Sequence, residues 1–376
     1  WLEELKLRAS YGTTGNAQIG NFQSRAIYSF QFPYNGQTGS RPTRLGNPNL
    51  TWEIAKKTNI GIDVNAFERF DFTIDAYRRV NEDLLQSVPQ PALTWFSSQI
   101  QNIGRVRNQG VEISLSTVNL QEGFRWTTDF NIGFNDNEVL ELAGGEPVLA
   151  GNQRIEEGED LRTWYLRKWA GVDPETGEPL WERQLTDDEG NVVGTELTSN
   201  YNEASRQMLG SATPDFTGAI RNTFEYKGFS LSTFFNFVYG NDIYHSAREL
   251  FDSDGGYLTY NYMELEDDWS RWQEPGDDAT HPKPVPGGNN NSNSPSSRYL
   301  EDGSYLRLKN VRLSYDVPDP WADVLNLQSA RLYVSGDNLL TFTDFSGMDP
   351  EVGLGGNAGT KYPISRKVMF GVGLTF

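Results

Sequence analysis

Large apolar residues alternate with small or polar ones to the very end of this chain. From Val368 to Phe376 every even position is large and apolar, and the odd positions are Met, Gly, Gly and Thr. A period of two makes a strand with one greasy face and one small or polar face. The pattern recurs in ten segments, each near the length of a membrane-crossing strand, roughly 9–11 residues. A terminal aromatic closing such a strand is how many bacterial outer-membrane barrels end. The C-terminus therefore points to a membrane wall.

The other nine segments run from Leu5 to Tyr11, Ile60 to Val64, Phe70 to Ala76, Val111 to Leu115, Phe124 to Phe134, Phe216 to Tyr226, Phe229 to Phe237, Val311 to Val317 and Arg331 to Asp337. Leu306 and Leu308 are even, whereas Val311 to Val317 use odd positions, so a bulge is expected near Asn310. Phe234 and Val238 fall on the otherwise polar face of their strand, and the alternation offers no account of them.

Composition narrows the classes. The chain has 376 residues, a net charge of −19, two His and no Cys. Mean hydropathy is −0.59, and no apolar run reaches the roughly 18 residues of a spanning helix. A barrel survives this test because only alternate residues need be apolar. Without Cys there is no disulfide framework and no thiolate metal site. The acidic balance argues against nucleic-acid partners, which need a basic footprint. The chain starts at Trp1, already in strand-like sequence, which suggests a piece of a longer exported protein.

Connections alternate in length. Residues 13–51, 81–108, 136–214, 240–303 and 341–367 are long, whereas 65–69, 119–123 and 226–228 are short and 318–329 is intermediate. This rhythm is the layout of an outer-membrane barrel, with long loops extracellular and short turns periplasmic. It places the C-terminus on the periplasmic side and the acidic runs Glu156–Asp160, Asp187–Glu189 and Glu264–Asp268 outside. Residues 286–297 are low in complexity and read as a flexible loop tip.

Several motifs follow in order. They are Gly46-Asn47-Pro48-Asn49-Leu50-Thr51-Trp52-Glu53, Thr58-Asn59-Ile60-Gly61-Ile62-Asp63, Asp75-Ala76-Tyr77-Arg78-Arg79 and Asn108-Gln109-Gly110-Val111-Glu112. Further on come Gly171-Val172-Asp173-Pro174, Pro214-Asp215-Phe216, Ser304-Tyr305-Leu306-Arg307-Leu308-Lys309-Asn310-Val311, Ser335-Gly336-Asp337-Asn338-Leu339 and Tyr362-Pro363-Ile364-Ser365-Arg366. Together they resemble the SusC/RagA family of TonB-linked outer-membrane transporters, over essentially the whole chain. The resemblance implies an all-β fold: about ten C-terminal strands of an antiparallel transmembrane barrel of about 22 strands. The plug and the first barrel strands would then lie outside residues 1–376.

It also implies import of oligosaccharides or oligopeptides in a Bacteroidota-type, Gram-negative outer membrane. The implied partners are a SusD-like surface lipoprotein acting as a lid, and TonB-ExbB-ExbD working through the plug. Contact with outer-membrane lipid and lipopolysaccharide is expected, and the family commonly forms dimers of transporter–lid pairs. The alternative is a surface-anchored structural or docking barrel without active import.

No catalytic constellation is evident, so no enzyme and no cofactor are expected. Asp252-Ser253-Asp254-Gly255-Gly256 has carboxylates at alternate positions before a turn, like a Ca²⁺ loop, but lacks the closing Glu of the twelve-residue pattern. A solvated acidic turn is the simpler reading of Asp252 and Asp254. Loop aromatics Trp95, Phe96, Trp164, Tyr165, Trp169, Trp181, Trp269 and Trp272 are candidates for substrate or lid contact, against the alternative that they pack the rim. Arg125, Asp129, Asn131, Arg221, Glu225, Arg312 and Asp337 should line the lumen, and Phe376 should mark the barrel end. Trp52, Trp126, Phe229 and Tyr239 suit interfacial girdles.

Overall fold

The computed structural model describes residues 1–260, 264–324 and 326–376. The remaining four positions fall in the 240–303 and 318–329 connections. Ten long strands form one sheet. They are β1 (Leu2–Asn16), β2 (Glu53–Ala66), β3 (Phe70–Glu82), β4 (Arg105–Leu120), β5 (Phe124–Glu141), β6 (Phe216–Tyr226), β7 (Phe229–Tyr239), β8 (Tyr305–Asp316), β9 (Ser329–Thr343) and β10 (Lys367–Thr375). Spatial order equals chain order, so each strand bonds to the next without a crossover. All ten expected strands are present. The last stops at Thr375, one residue before Phe376, whose ring is exposed.

The connections keep the expected rhythm. Residues 67–69, 121–123 and 227–228 are tight turns, and 317–328 carries a short helix, Asp319–Val324. The intervening connections are long and hold small sheets of their own, including Trp169–Val172 with Pro179–Thr186 and Val192–Thr198. The chain divides into two compact units. One comprises Trp1–Ser116, Asn131–Val148 and Ile155–Leu161; the other comprises Thr117–Phe130, Leu149–Arg154 and Arg162–Phe376.

In the first unit, pairing shows which residues share a face. Leu7 opposes Ile62, which opposes Ile74; Leu5 opposes Val64, which opposes Phe72. Directly opposed residues in an antiparallel pair project to the same side, so these rungs stack into one apolar ladder. Leu5, Leu7 and Ile60 are all more than half exposed. The other face is ionic. Arg8 donates to Asp63 at 2.7 Å and to Asp75 at 2.9 Å, spanning three strands. A Cβ at Gly61 would fall on the Arg8 guanidinium and the Asp75 carboxylate, which is why the bridging rung carries glycine.

The second unit repeats this division. Leu231 opposes Leu313, which opposes Val334, which opposes Phe370. The small odd positions of β10 have a direct cause. Tyr333 lies across Gly371, where any Cβ would meet its ring, and Arg312 sits 4.3 Å from the Tyr333 ring centroid. The expected bulge falls at Lys309: Phe234 pairs with Asn310 and Phe235 with Leu308. Phe234, unexplained by alternation, lies beneath Arg221, whose guanidinium is 5.1 Å from its ring centroid.

Aromatic pairs collect at the strand ends. Phe229 and Tyr315 are 4.4 Å apart near the tight turns, with Phe124 and Trp126 packed against Phe224. Phe216 stacks on Tyr239 at 5.0 Å at the other end of the same hairpin. Eight residues separate Phe216 from Phe224, roughly 27 Å along a strand. With a tilt of about 40° that is close to the height of an outer-membrane apolar band.

Ile62 sits mid-ladder, so Ile62→Arg should cost about 2–4 kcal/mol of folding stability in lipid, as expected for a charge near the bilayer midplane. Urea titration of the full-length protein in vesicles, followed by heat-modifiable gel mobility, measures it. An unchanged midpoint would mean that the ladder does not face lipid.

Candidate functional site

The long connections of the second unit fold into a body with its own core. Trp164, Leu166, Ala212, Tyr244 and Tyr299 form one buried cluster, with Trp164 and Tyr244 rings 5.6 Å apart. Trp181 is fully buried, edge-on to both Trp169 and Tyr201. Trp164 Nε1 donates to the carbonyl of Asp242. For two residues burial agrees with the rim-packing alternative: Trp164 and Trp181 lie inside the loop body.

Beneath these rings lies a charge cluster. Asp252 and Asp254 are completely buried. Arg298 donates to Asp254 at 2.5 Å and to Asp252 at 3.2 Å, Arg271 to Asp254 at 2.6 Å, and Arg248 to Asp252 at 3.2 Å and Glu301 at 2.7 Å. Three arginines thus meet three carboxylates. Residues 240–303 contain only Arg248, Arg271, Lys283 and Arg298 as cations, so nearly all their positive charge goes here. Tryptophans roof the arginines, with Arg248 4.3 Å from the Trp269 ring and Arg298 5.0 Å from that of Trp169.

This geometry overturns the solvated-turn reading of Asp252 and Asp254, which are buried among arginines. Their charge is met by guanidinium groups, which would repel a cation. Among the described residues no three His, Asp or Glu side chains converge to hold a metal. The arginines escaped the sequence reading because they lie tens of residues apart. The usable signal was that buried acids need cations, and this loop has few.

Residues 286–297 are also corrected. Asn289, Ser292 and Ser296 are buried; Ser292 Oγ donates to Asp254 at 2.7 Å, and Asn289 Nδ2 donates to the carbonyls of Gly177 and Lys283. The Asn289 and Ser292 side chains satisfy buried partners here, so the segment packs against the charge cluster.

Both histidines sit in polar networks within the loop body. His281 is buried, with Nε2 2.9 Å from Asp252 and Nδ1 2.8 Å from Thr280 Oγ1, a hydroxyl that also donates to the carbonyl of Ser270. His245 Nδ1 faces Glu301 at 3.5 Å and Ser346 Oγ at 3.4 Å. At His245 hydroxyl and carboxylate therefore share one nitrogen, whereas at His281 they face opposite nitrogens.

The remaining aromatics divide by environment. Trp272 donates to the carbonyl of Pro174 at 2.8 Å, and its ring covers Gly177, where a Cβ would clash. Trp269 packs on Arg248 and His281, and Tyr165 lies 4.9 Å from the Arg154 guanidinium. Trp95 is 94% exposed, with Phe96 half-buried beside it; both follow the short helical turn Ala92–Thr94 between strands Leu85–Pro89 and Ser98–Asn102.

On the strand faces, Arg125 pairs with Glu225 at 3.0 Å, and Asp337 accepts from Asn310 at 2.6 Å. Arg221 and Arg312 cover aromatic rings, as described above. Asn131 is exposed, and Asp129 has an interaction of its own.

Two acids in the cluster have perturbed protonation. Burial alone would push Asp252 up, but the His281 bond and the charges of Arg298 and Arg248 hold it well below the usual carboxylate range. Glu301 is likewise raised by burial, yet His245, Arg248 and the Ser346 amide bring it down to about 2.

A family model described as TonB dependent receptor-like, beta-barrel matches residues 1–339. The TonB-dependent receptor P39 of Formosa agariphila is 32% identical over 99% of this chain and 40% of its own length. The TonB-dependent receptor SusC of Bacteroides thetaiotaomicron is 27% identical over 100% of this chain and 38% of its own length. The solved RagAB peptide transporter aligns over 100% of this chain and 41% of its own, with TM-score 0.85 and 31% identity. The RagAB peptide importer in its open-open state gives TM-score 0.87 at 30% identity. The chain thus spans about two fifths of the length of these relatives.

Two outcomes follow from the charge cluster. Arg298→Ala leaves two buried carboxylates short of a partner, which should destabilise the loop body by about 3–5 kcal/mol; hydrogen exchange at the Tyr299 and Gly303 amides reports it, and protection equal to wild type would exclude the cluster as the fastening. The depressed carboxylates stabilise the body fully above the unfolded carboxylate range, roughly pH 4–4.5, and lose that stabilisation as pH falls toward about 2. Protection at the same amides, relative to the intrinsic exchange rate, should therefore fall between those limits, with Arg298→Ala much less pH-sensitive.

Proposed function

The chain belongs to the TonB-dependent receptor β-barrel family, in its SusC/RagA branch, and from that premise we propose that it supplies wall and outer loops to an outer-membrane importer of oligopeptides or oligosaccharides. The family is one of outer-membrane receptors and transporters, and this chain carries structure and contact surface with no reaction of its own. The observation that carries the reading is the full-chain superposition on RagAB at 30–31% identity.

Further support comes from the fold. Each long strand divides into an apolar ladder and a polar or ionic face, which suits a wall between lipid and a wet lumen. Arg125, Asp129, Asn131, Arg221, Glu225, Arg312 and Asp337 line that lumen. The long connections face outward, and the C-terminus lies on the periplasmic side. A SusD-like lipoprotein closes over the loops as a lid, with Trp95 the most available ring for such a contact. Energy enters from TonB through a plug elsewhere in the protein, and pairs of transporter–lid units associate.

Deleting the full-length gene should abolish uptake of labelled oligopeptides or oligosaccharides by the parent bacterium, and the intact gene should restore it. Restoration must fail when TonB is absent. Uptake that persists without TonB, or without the gene, would favour the anchoring barrel over the importer. Trp95→Ala should lower recovery of a co-purifying lipoprotein several-fold, whereas Trp181→Ala should instead reduce loop stability, by about 3–5 kcal/mol.

A further inference from the structure

The apolar ladder of the first unit stops abruptly, and the rung at which it stops has the chemistry to hold a phosphate. Counting from the tight turn at 67–69, the rungs of β2 and β3 are Ala66–Phe70, Val64–Phe72, Ile62–Ile74, Ile60–Ala76, Thr58–Arg78 and Lys56–Val80. On β1, Tyr11 joins the Thr58 rung and Thr13 the Lys56 rung. The first four rungs are wholly apolar. The fifth sets two hydroxyls, Thr58 and then Tyr11, in line on one side of a guanidinium.

Height makes this rung an interface. From Ala66 to Thr58 is eight residues, roughly 27 Å along the strand. At a tilt of about 40° this is roughly 21 Å, near the far edge of an apolar band about 25 Å tall. Arg78 therefore projects from the lipid-facing side just where headgroups begin.

Its environment differs from that of two nearby cations. Lys56 one rung higher is paired with Glu82 at 2.5 Å, and Arg107 pairs with Glu138 and Asp136. Arg78 is exposed and has neither hydrogen bond nor ion pair among the described residues. Tyr11, 71% exposed, stands two pairing positions along the same rung. An unpaired guanidinium beside an apolar wall is costly unless an anion meets it, and its planar fork suits a phosphate ester.

We propose that Arg78, with the Thr58 and Tyr11 hydroxyls beside it, binds the phosphate of a membrane lipid headgroup at the long-loop edge of the apolar band. The lipid's chains lie down the ladder of Ile60, Ile62 and Leu7. The guanidinium supplies the charge-assisted hydrogen bonds, and the hydroxyls take remaining phosphate oxygens. Only a lipid satisfies both halves of the surface, since a free anion has no use for the apolar rungs below. This inference rests on reading the sheet as membrane wall.

The test uses full-length transporter in nanodiscs containing lipid A, either phosphorylated or enzymatically dephosphorylated. Native mass spectrometry then counts the lipid retained after detergent release. The wild type should retain the phosphorylated form, and Arg78→Ala should lower retention about tenfold, the factor expected for losing charged hydrogen bonds. Arg78→Lys should fall between them. Arg79→Ala removes the same charge from the opposite face and should leave retention unchanged.

Equal retention of dephosphorylated lipid would overturn the proposal, as would equal losses in Arg78→Ala and Arg79→Ala. Displacement of the lipid by inorganic phosphate alone at millimolar concentration would assign the site to a free anion. Absence of wild-type protein from the outer-membrane fraction would defeat the membrane-wall reading. Normal insertion with unchanged lipid retention in Arg78→Ala would defeat only this inference.

Discussion

Everything in this chain depends on keeping two faces of a strand apart. An antiparallel sheet satisfies backbone groups by pairing neighbours, and in lipid no other partner is on offer. The side chains then have only two directions. Leu7, Ile62 and Ile74 take one, while Arg8, Asp63 and Asp75 take the other. A one-residue slip would carry the ion pairs into lipid and the isoleucines into the wet face. Register is therefore enforced twice on every strand, and the Lys309 bulge is where one strand changes phase to keep both conditions.

The loops obey a different rule. They have no lipid to bury against, so they must make a core from what water-soluble sequence allows. That core is part aromatic and part ionic. Trp164, Trp181, Tyr244 and Tyr299 supply area, and the Asp252–Asp254 cluster supplies direction. Buried ion pairs add little net stability compared with apolar packing, but breaking one is expensive. The arrangement fixes which segments meet: residues 248–254, 271, 281, 292 and 298–301 can satisfy their charges and polar atoms only in this set.

That difference explains what could be read from sequence. All ten wall strands were legible, because period two is imposed by the lipid–lumen boundary and survives locally in each segment. The bulge was legible as a phase change between Leu308 and Val311. The loop interior was not. Trp181 and Trp95 look alike in sequence, yet one is fully buried and the other 94% exposed. Composition also misled over residues 286–297, where Asn and Ser suggested a solvated tip. Ser292 and Asn289 are buried because Asp254, Gly177 and Lys283 give them partners. Local pattern carries no information about partners that lie a hundred residues away.

The loop body is also tied to the wall, and the ties constrain how it moves. Glu301 accepts from both the amide and the hydroxyl of Ser346, joining the 240–304 connection to the one after β9. Arg307 on β8 donates to Asp349 at 2.5 Å and Glu351 at 2.6 Å in that same following connection. Arg307 is almost fully buried, so releasing either acid strands a desolvated cation. Withdrawing the connection after β9 would thus strand Arg307, whereas its tie to the 240–304 connection is only the pair of Ser346 hydrogen bonds to Glu301.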